Sequence, residues 1–157
     1  MKWHNHKLTT FGLVMLTNSS FLYAFIAASG SCIPDIIEGR PASPGWRNRH
    51  RGVSHYLILY LFITSLLALY GLILYEPSFI SLLSLTIEVN PPLWSAFFFL
   101  GGVLHILEDS ISGTVPLLSL KKRVGIRIIP VGHPVEYVLS YAVFFLSLVL
   151  KMRRCLF

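Results

Sequence analysis

Apolar residues along this chain fall in long runs broken by short polar stretches, the pattern of spanning segments rather than of amphipathic surface helices. Val53 to Tyr75 is the clearest run, 23 residues without a formal charge. At about 1.5 Å of rise per residue, it crosses a hydrocarbon core of about 30 Å with some tilt. Leu93 to Leu107 is shorter and carries Gly101-Gly102, where a neighbouring helix can approach closely. Tyr137 to Leu150 is shorter again and needs Val135 and Glu136 to approach a full span. Phe79 to Ile87, between Glu76 and Glu88, is too short to cross. It reads as an interfacial or connecting element, with Pro91-Pro92 ending it before the next helix.

Leu8 to Ile33 is 26 residues without charge, but Thr17-Asn18-Ser19-Ser20 sits in its middle. Four polar, turn-favouring residues at a bilayer centre are costly unless they face protein or water. Three readings stay open: one spanning helix with a polar notch, a hairpin of two short helices folding back at Asn18, or a signal peptide. For the last, Lys2 and Lys7 precede the apolar run and Ser29-Gly30-Ser31 resembles a cleavage site. Cys32 suggests a lipoprotein box, although Ser29 stands where a large aliphatic is expected.

Composition agrees with spans. Of 157 residues, 54% are hydrophobic and 13% charged, with a mean hydropathy of +0.67, where a soluble domain carries about 25% charged residues. Disorder, nucleic-acid tails and a secreted disulfide scaffold are disfavoured, the last by a cysteine count of two, Cys32 and Cys155. These two are far apart and no disulfide is expected. The expected fold class is an all-α membrane protein. It would be one integral domain over 1–157, a small bundle of about four hydrophobic segments at 8–33, 53–75, 93–107 and 135–150.

The net charge of +6 is sorted by position. Arg40, Arg47, Arg49 and Arg51 lie in one polar segment and Lys121, Lys122, Arg123 and Arg127 in another. Sorted basic charge reads as topology with anionic lipid as the partner, and no nucleic-acid partner is expected. With the second and third segments antiparallel, both basic loops, 34–52 and 108–134, fall on one side. The Glu76–Pro92 connection has no Lys or Arg, so the basic side should be cytoplasmic in a multi-pass inner-membrane protein. Lys151, Arg153 and Arg154 conflict with this if the last segment crosses.

In a chain with so few charges, ionisable residues at span ends ask for a reason. Pro34-Asp35 closes the first apolar stretch. His50-Arg51-Gly52-Val53-Ser54-His55 opens the second. His105-Ile106-Leu107-Glu108-Asp109 closes the third. His105 and Asp109, four apart, share one helix face at the spacing that grips a metal ion. His50 and His55 converge only if Gly52 lets His50 fold back from a loop. Imidazole and carboxylate together suit a divalent metal, zinc or manganese first and iron next, and the lack of thiolates argues against a structural Cys-type zinc site.

Taken together, these motifs resemble the YdjM-like inner-membrane proteins of bacteria and archaea, a family of membrane-bound metal-dependent hydrolases. The resemblance runs roughly from His6 to Tyr137. It is carried by His6 with Thr9, Ile33-Pro34-Asp35, the His50-Arg51-Gly52-Val53-Ser54-His55 block, Gly101 with His105 and Asp109, and Gly113 to Leu118 followed by Gly132 and Glu136. The chain departs where the family has a second Asp two residues after Pro-Asp, offering only Glu38, offset by one. It departs again at Ser112, where a threonine is expected. The resemblance implies metal ligands His6, Asp35, His50, His55, His105 and Asp109. If His6 is a ligand, the hairpin is favoured, because one spanning helix of 26 residues would part it from Asp35 by roughly 39 Å.

The expected activity is hydrolysis of an ester or phosphoester, lipid-linked because the site lies at the membrane face. Glu108 and Glu136 are the candidate general bases, with a helix cap as the alternative for Glu136, and Arg51 is placed to bind an anionic oxygen. The competing class is a noncatalytic metal-binding protein, structural or sensory. A transporter finds little room in four short segments.

Overall fold

A computed structural model describes residues 1–17, 20–39, 51–82 and 85–156. The first apolar stretch is broken. Helix α1 (Trp3–Thr17) and helix α2 (Phe21–Gly30) pack against each other, and α3 (Ile33–Glu38) follows after a two-residue turn. Thr17 ends α1, its hydroxyl donating back to the carbonyls of Leu13 and Val14 at 3.2 Å each. A side chain that bonds its own preceding turn competes with helix continuation. The hairpin is therefore the arrangement adopted. His6 and Asp35, at its two open ends, both lie against His105: the His6 and His105 ring centroids are 3.9 Å apart, and Asp35 Oδ1 is 3.5 Å from His105 Nε2.

A short 3₁₀ turn (Val53–His55) leads into α4 (Leu57–Leu69), which closes with a π-helical turn (Tyr70–Leu74). Helix α5 runs Pro91–Ser112 and α6 runs Pro134–Leu156, both longer than the apolar runs alone suggest. Pro91 and Pro92 occupy the first turn of α5, where a missing N–H costs nothing. Asn90 caps that turn by accepting from Leu93 N at 3.1 Å, and it donates to Gly71 O at 2.9 Å, tying the end of α4 to the start of α5. Among the described residues, four helical stretches are long and apolar enough to cross a membrane: Phe21–Glu38, Leu57–Leu74, Pro91–Ser112 and Pro134–Arg154.

The expectation of a purely helical bundle needs correcting, because two small antiparallel hairpins are present. Strands β1 (Ser78–Leu82) and β2 (Leu85–Val89) pair where a connecting element was expected; β3 (Val115–Ser119) and β4 (Lys122–Val124) pair within the basic segment. Both stretches are too short to span and contain β-branched residues such as Ile80, Thr86, Ile87, Val115 and Val124 that favour extended backbone. They close the two ends of a mostly helical body.

The helices pack in the order α6, α1, α2, α5, α4. Gly101 and Gly102 face two different neighbours: a Cβ on Gly101 would strike the Ala27 carbonyl of α2, and one on Gly102 would meet the Tyr60 ring of α4 at 2.5 Å. One cluster joins α1 and α2 through Val14, Met15, Ala24 and Ala27, with Phe97 and Leu104 of α5 packed on it. A second joins α4, α5 and β3 through Leu57, Tyr60, Val103, Ile106 and Val115. Phe62, Leu66 and Leu72 on the second span, with Phe145 and Val149 on the last, point outward and exposed, as lipid-facing side chains do.

Candidate metal centre

The start of α1, the α3 segment, the 3₁₀ turn and the last turns of α5 meet at one end of the bundle. Pro34 starts α3 and puts Asp35 in its first turn. His55 ends the 3₁₀ turn, so its ring leaves the backbone just before α4 begins. His105 and Asp109 stand one turn apart on α5.

His55 Nε2 and His105 Nε2 are 3.3 Å apart, and Asp35 Oδ1 lies 3.4 and 3.5 Å from them. Donors bound to one zinc-sized ion at about 2.0–2.2 Å in a tetrahedron stand about 3.3–3.6 Å apart. The three atoms therefore form one triangular face of such a polyhedron. Asp109 Oδ2 is the next oxygen, 3.6 Å from His55 Nε2 and 3.8 Å from His105 Nε2. The other Asp109 oxygen, Oδ1, faces His6 Nε2 at 3.5 Å and the Met1 amino nitrogen at 2.8 Å. His6, His105 and Asp109 make a second three-donor set that shares His105.

The surroundings suit a cation. His6, His55 and His105 are fully buried and Asp109 nearly so, while Asp35, its side chain 17% exposed, is the most open of the five. His6 Nε2 and His105 Nδ1 are buried with no hydrogen bond, a cost that a cation removes where it supplies the partner. His6 and His55 each have their Nδ1 held from behind. Glu108 Oε2 is 2.6 Å from His6 Nδ1 and accepts from Thr10 Oγ1 through its other oxygen, while Ser54 Oγ lies 2.9 Å from His55 Nδ1 with Glu38 Oε2 at 3.5 Å. A carboxylate behind an imidazole fixes its tautomer and raises its basicity as a ligand. These buried groups can hold a metal ion.

Arg51 stands beside Asp109. Its Nε is 2.8 Å from Asp109 Oδ2, and a Cβ on Gly113 would collide with its guanidinium. The Arg51 backbone has φ +58°, a region that costs a non-glycine residue about 1–2 kcal/mol. It is held there by its N–H donating to Glu38 Oε1 at 2.9 Å and its carbonyl accepting from Arg123 Nη2 at 3.1 Å.

Of the residues singled out from sequence, His6, Asp35, His55, His105, Asp109, Arg51 and Glu108 come together. His50 lies outside the described residues. Glu136 does not join the donors: it accepts from the Lys2 N–H, Asn5 Nδ2 and the Gly132 N–H at 2.5–2.7 Å, tying the start of α1 to α6. Glu38 and Ser54, the partners of His55, were not singled out as site residues. The signal for Glu38 was its spacing of three from Asp35, which puts the two on one face of α3. Cys32 is buried and free. No family model, curated protein or solved structure matches the chain.

Proposed function

We propose that this protein is a membrane-bound, metal-dependent hydrolase acting on an ester or phosphoester, with its site at the cytoplasmic face of an inner membrane. The observation that carries the reading is the Asp35–His55–His105 triangle, three protein donors of the type and number that catalytic metal sites use. The motifs shared with the YdjM-like family support the same reading. A divalent ion, zinc or manganese by donor chemistry, would be held by Asp35, His55 and His105 and would supply activation of water and polarisation of a phosphoryl or acyl oxygen.

The chain's own groups do the rest. His6 would take the proton of the attacking water at Nε2, which is buried without a hydrogen bond and faces Asp109 Oδ1, while His6 Nδ1 is tied to Glu108. Glu108 is thus a positioning residue for His6, and Glu136 fixes the N-terminal turn that delivers His6. Arg51, paired with Asp109, sets a positive charge beside the place where negative charge develops on the substrate.

The noncatalytic reading is favoured by one observation: Asp109 Oδ2 lies beside two of the three donors, 3.6 Å from His55 Nε2 and 3.8 Å from His105 Nε2, and a site closed by a further protein donor is structural. Cobalt substitution separates the two. For a catalytic site, added inorganic phosphate shifts the visible cobalt spectrum, and the zinc- or manganese-loaded protein cleaves an activated phosphodiester or carboxylic ester. A cobalt spectrum indifferent to phosphate, with neither ester cleaved, would exclude the hydrolase.

A further inference from the structure

Helices α5 and α6 both have the length and apolarity of membrane spans, yet α6 packs against α1 and not along α5. The space left between them is a cleft of about 210 Å³. Thr9 of α1 borders it, and its apolar lining comes from Ile111 of α5, Leu139 and Val143 of α6, and Ile129 of the preceding connection. Glu108 and Ser112 also line it, as do Met1 and Glu136 at the same end. The first two are the groups that join it to the donor set: Glu108 holds His6 Nδ1 at 2.6 Å, and Ser112 follows Asp109 by three residues on the same helix.

From this we infer that the cleft is a slot for one hydrocarbon chain of a membrane lipid, with the head linkage of that lipid at the Glu108–Ser112 end. The inference rests on the hydrolase reading for what happens at that end, and it supplies the substrate class: an amphiphile drawn laterally from the bilayer. Three observations select this occupant. Two of the walls, α5 and α6, are apolar and long enough to span, so hydrocarbon is the medium outside that side of the cleft and a chain enters without being dehydrated. The α6 wall from residue 136 to 143 is about 10 Å long, room for a stretch of single chain. A helix of another copy is about 10–12 Å across with its side chains and does not enter so small a space. A water-soluble ester has no match for these walls.

The test uses the full chain in lipid nanodiscs doped with a phospholipid that carries a photoactivatable diazirine midway along one acyl chain. Adducts are mapped by mass spectrometry, and metal content is measured on the same preparation. The slot predicts adducts at Ile111, Leu139 and Val143 several-fold above those at Phe145 and Val149, which are exposed on α6 at 57% and 60%. Leu139 is itself half exposed, so the indole of Leu139→Trp can turn across the cleft without entering the core. That variant should lose the excess labelling while keeping its metal. Labelling equal to that of Phe145 and Val149, labelling unchanged in Leu139→Trp, or chain-to-chain adducts through these residues would overturn the slot. If Leu139→Trp does not fold, the contrast within the unmodified chain still decides. Metal without enriched labelling removes the slot and leaves the hydrolase; enriched labelling without metal does the reverse.

Discussion

His105 is the residue through which the site is connected. It shares donor sets with Asp35 and His55 on one side and with His6 and Asp109 on the other. The groups behind the ligands carry the next level of control. Glu38→Ala removes a carboxylate behind His55, and loss of such a partner typically lowers metal affinity about 10–100-fold; chelator competition on the purified protein should read that drop with the metal stoichiometry unchanged at saturation. Arg51→Ala leaves the buried Asp109 carboxylate short of its cation, and breaking a buried pair costs about 3–5 kcal/mol. Metal-free Arg51→Ala should therefore denature at clearly lower denaturant, with metal restoring part of the loss. The His105 and Asp109 pairing was legible in sequence because a spacing of four is fixed by helix geometry. The role of Glu38 was not, since the position of a short helix against a distant imidazole is set by tertiary packing.

Among the elements, the α2–α5 crossing decides whether Asp35 reaches His105. α3 follows α2 almost directly, so any spreading at Gly101 moves Asp35 away from the triangle. Gly101→Leu should cost about 1–3 kcal/mol through overpacking, and it should weaken metal binding although it touches no ligand. Measuring unfolding and metal affinity on the same variant checks both effects. The close approach at Gly101-Gly102 and the four apolar stretches could be read from the sequence. The polar Thr17–Ser20 stretch raised the hairpin of α1 and α2 as one of three readings, and only requiring His6 and Asp35 to meet favoured it. The strands could not be separated from connecting loops, because a few β-branched residues between charges carry too little periodicity to decide.

For the whole molecule, the order of elements gives the bundle two unlike ends. The donors, Arg51 and the β3–β4 hairpin with Lys121, Lys122 and Arg123 form one end. Glu76, Glu88 and β1–β2 form the other, together with Lys151, whose Nζ sits 5.9 Å from the Phe21 ring centroid. The conflict between the C-terminal basic residues and the loop charges is therefore real, since α6 carries them to the end opposite the site. Short-loop Lys and Arg set orientation by excess, and the excess lies at the site end. Cysteines introduced singly at Lys122 and Glu76 should then label from opposite sides, Lys122 only after the cytoplasmic face is opened to the reagent.

All of this depends on Asp35, His55 and His105, from three separate elements, acting as one cation site. The direct measurement is the metal content of the purified protein against that of a His55→Ala/His105→Ala double variant, after equal loading with zinc or manganese and removal of free ion. The account predicts bound divalent metal in the unmodified chain and its loss in the folded double variant. Equal metal in both, or none in either, would contradict it.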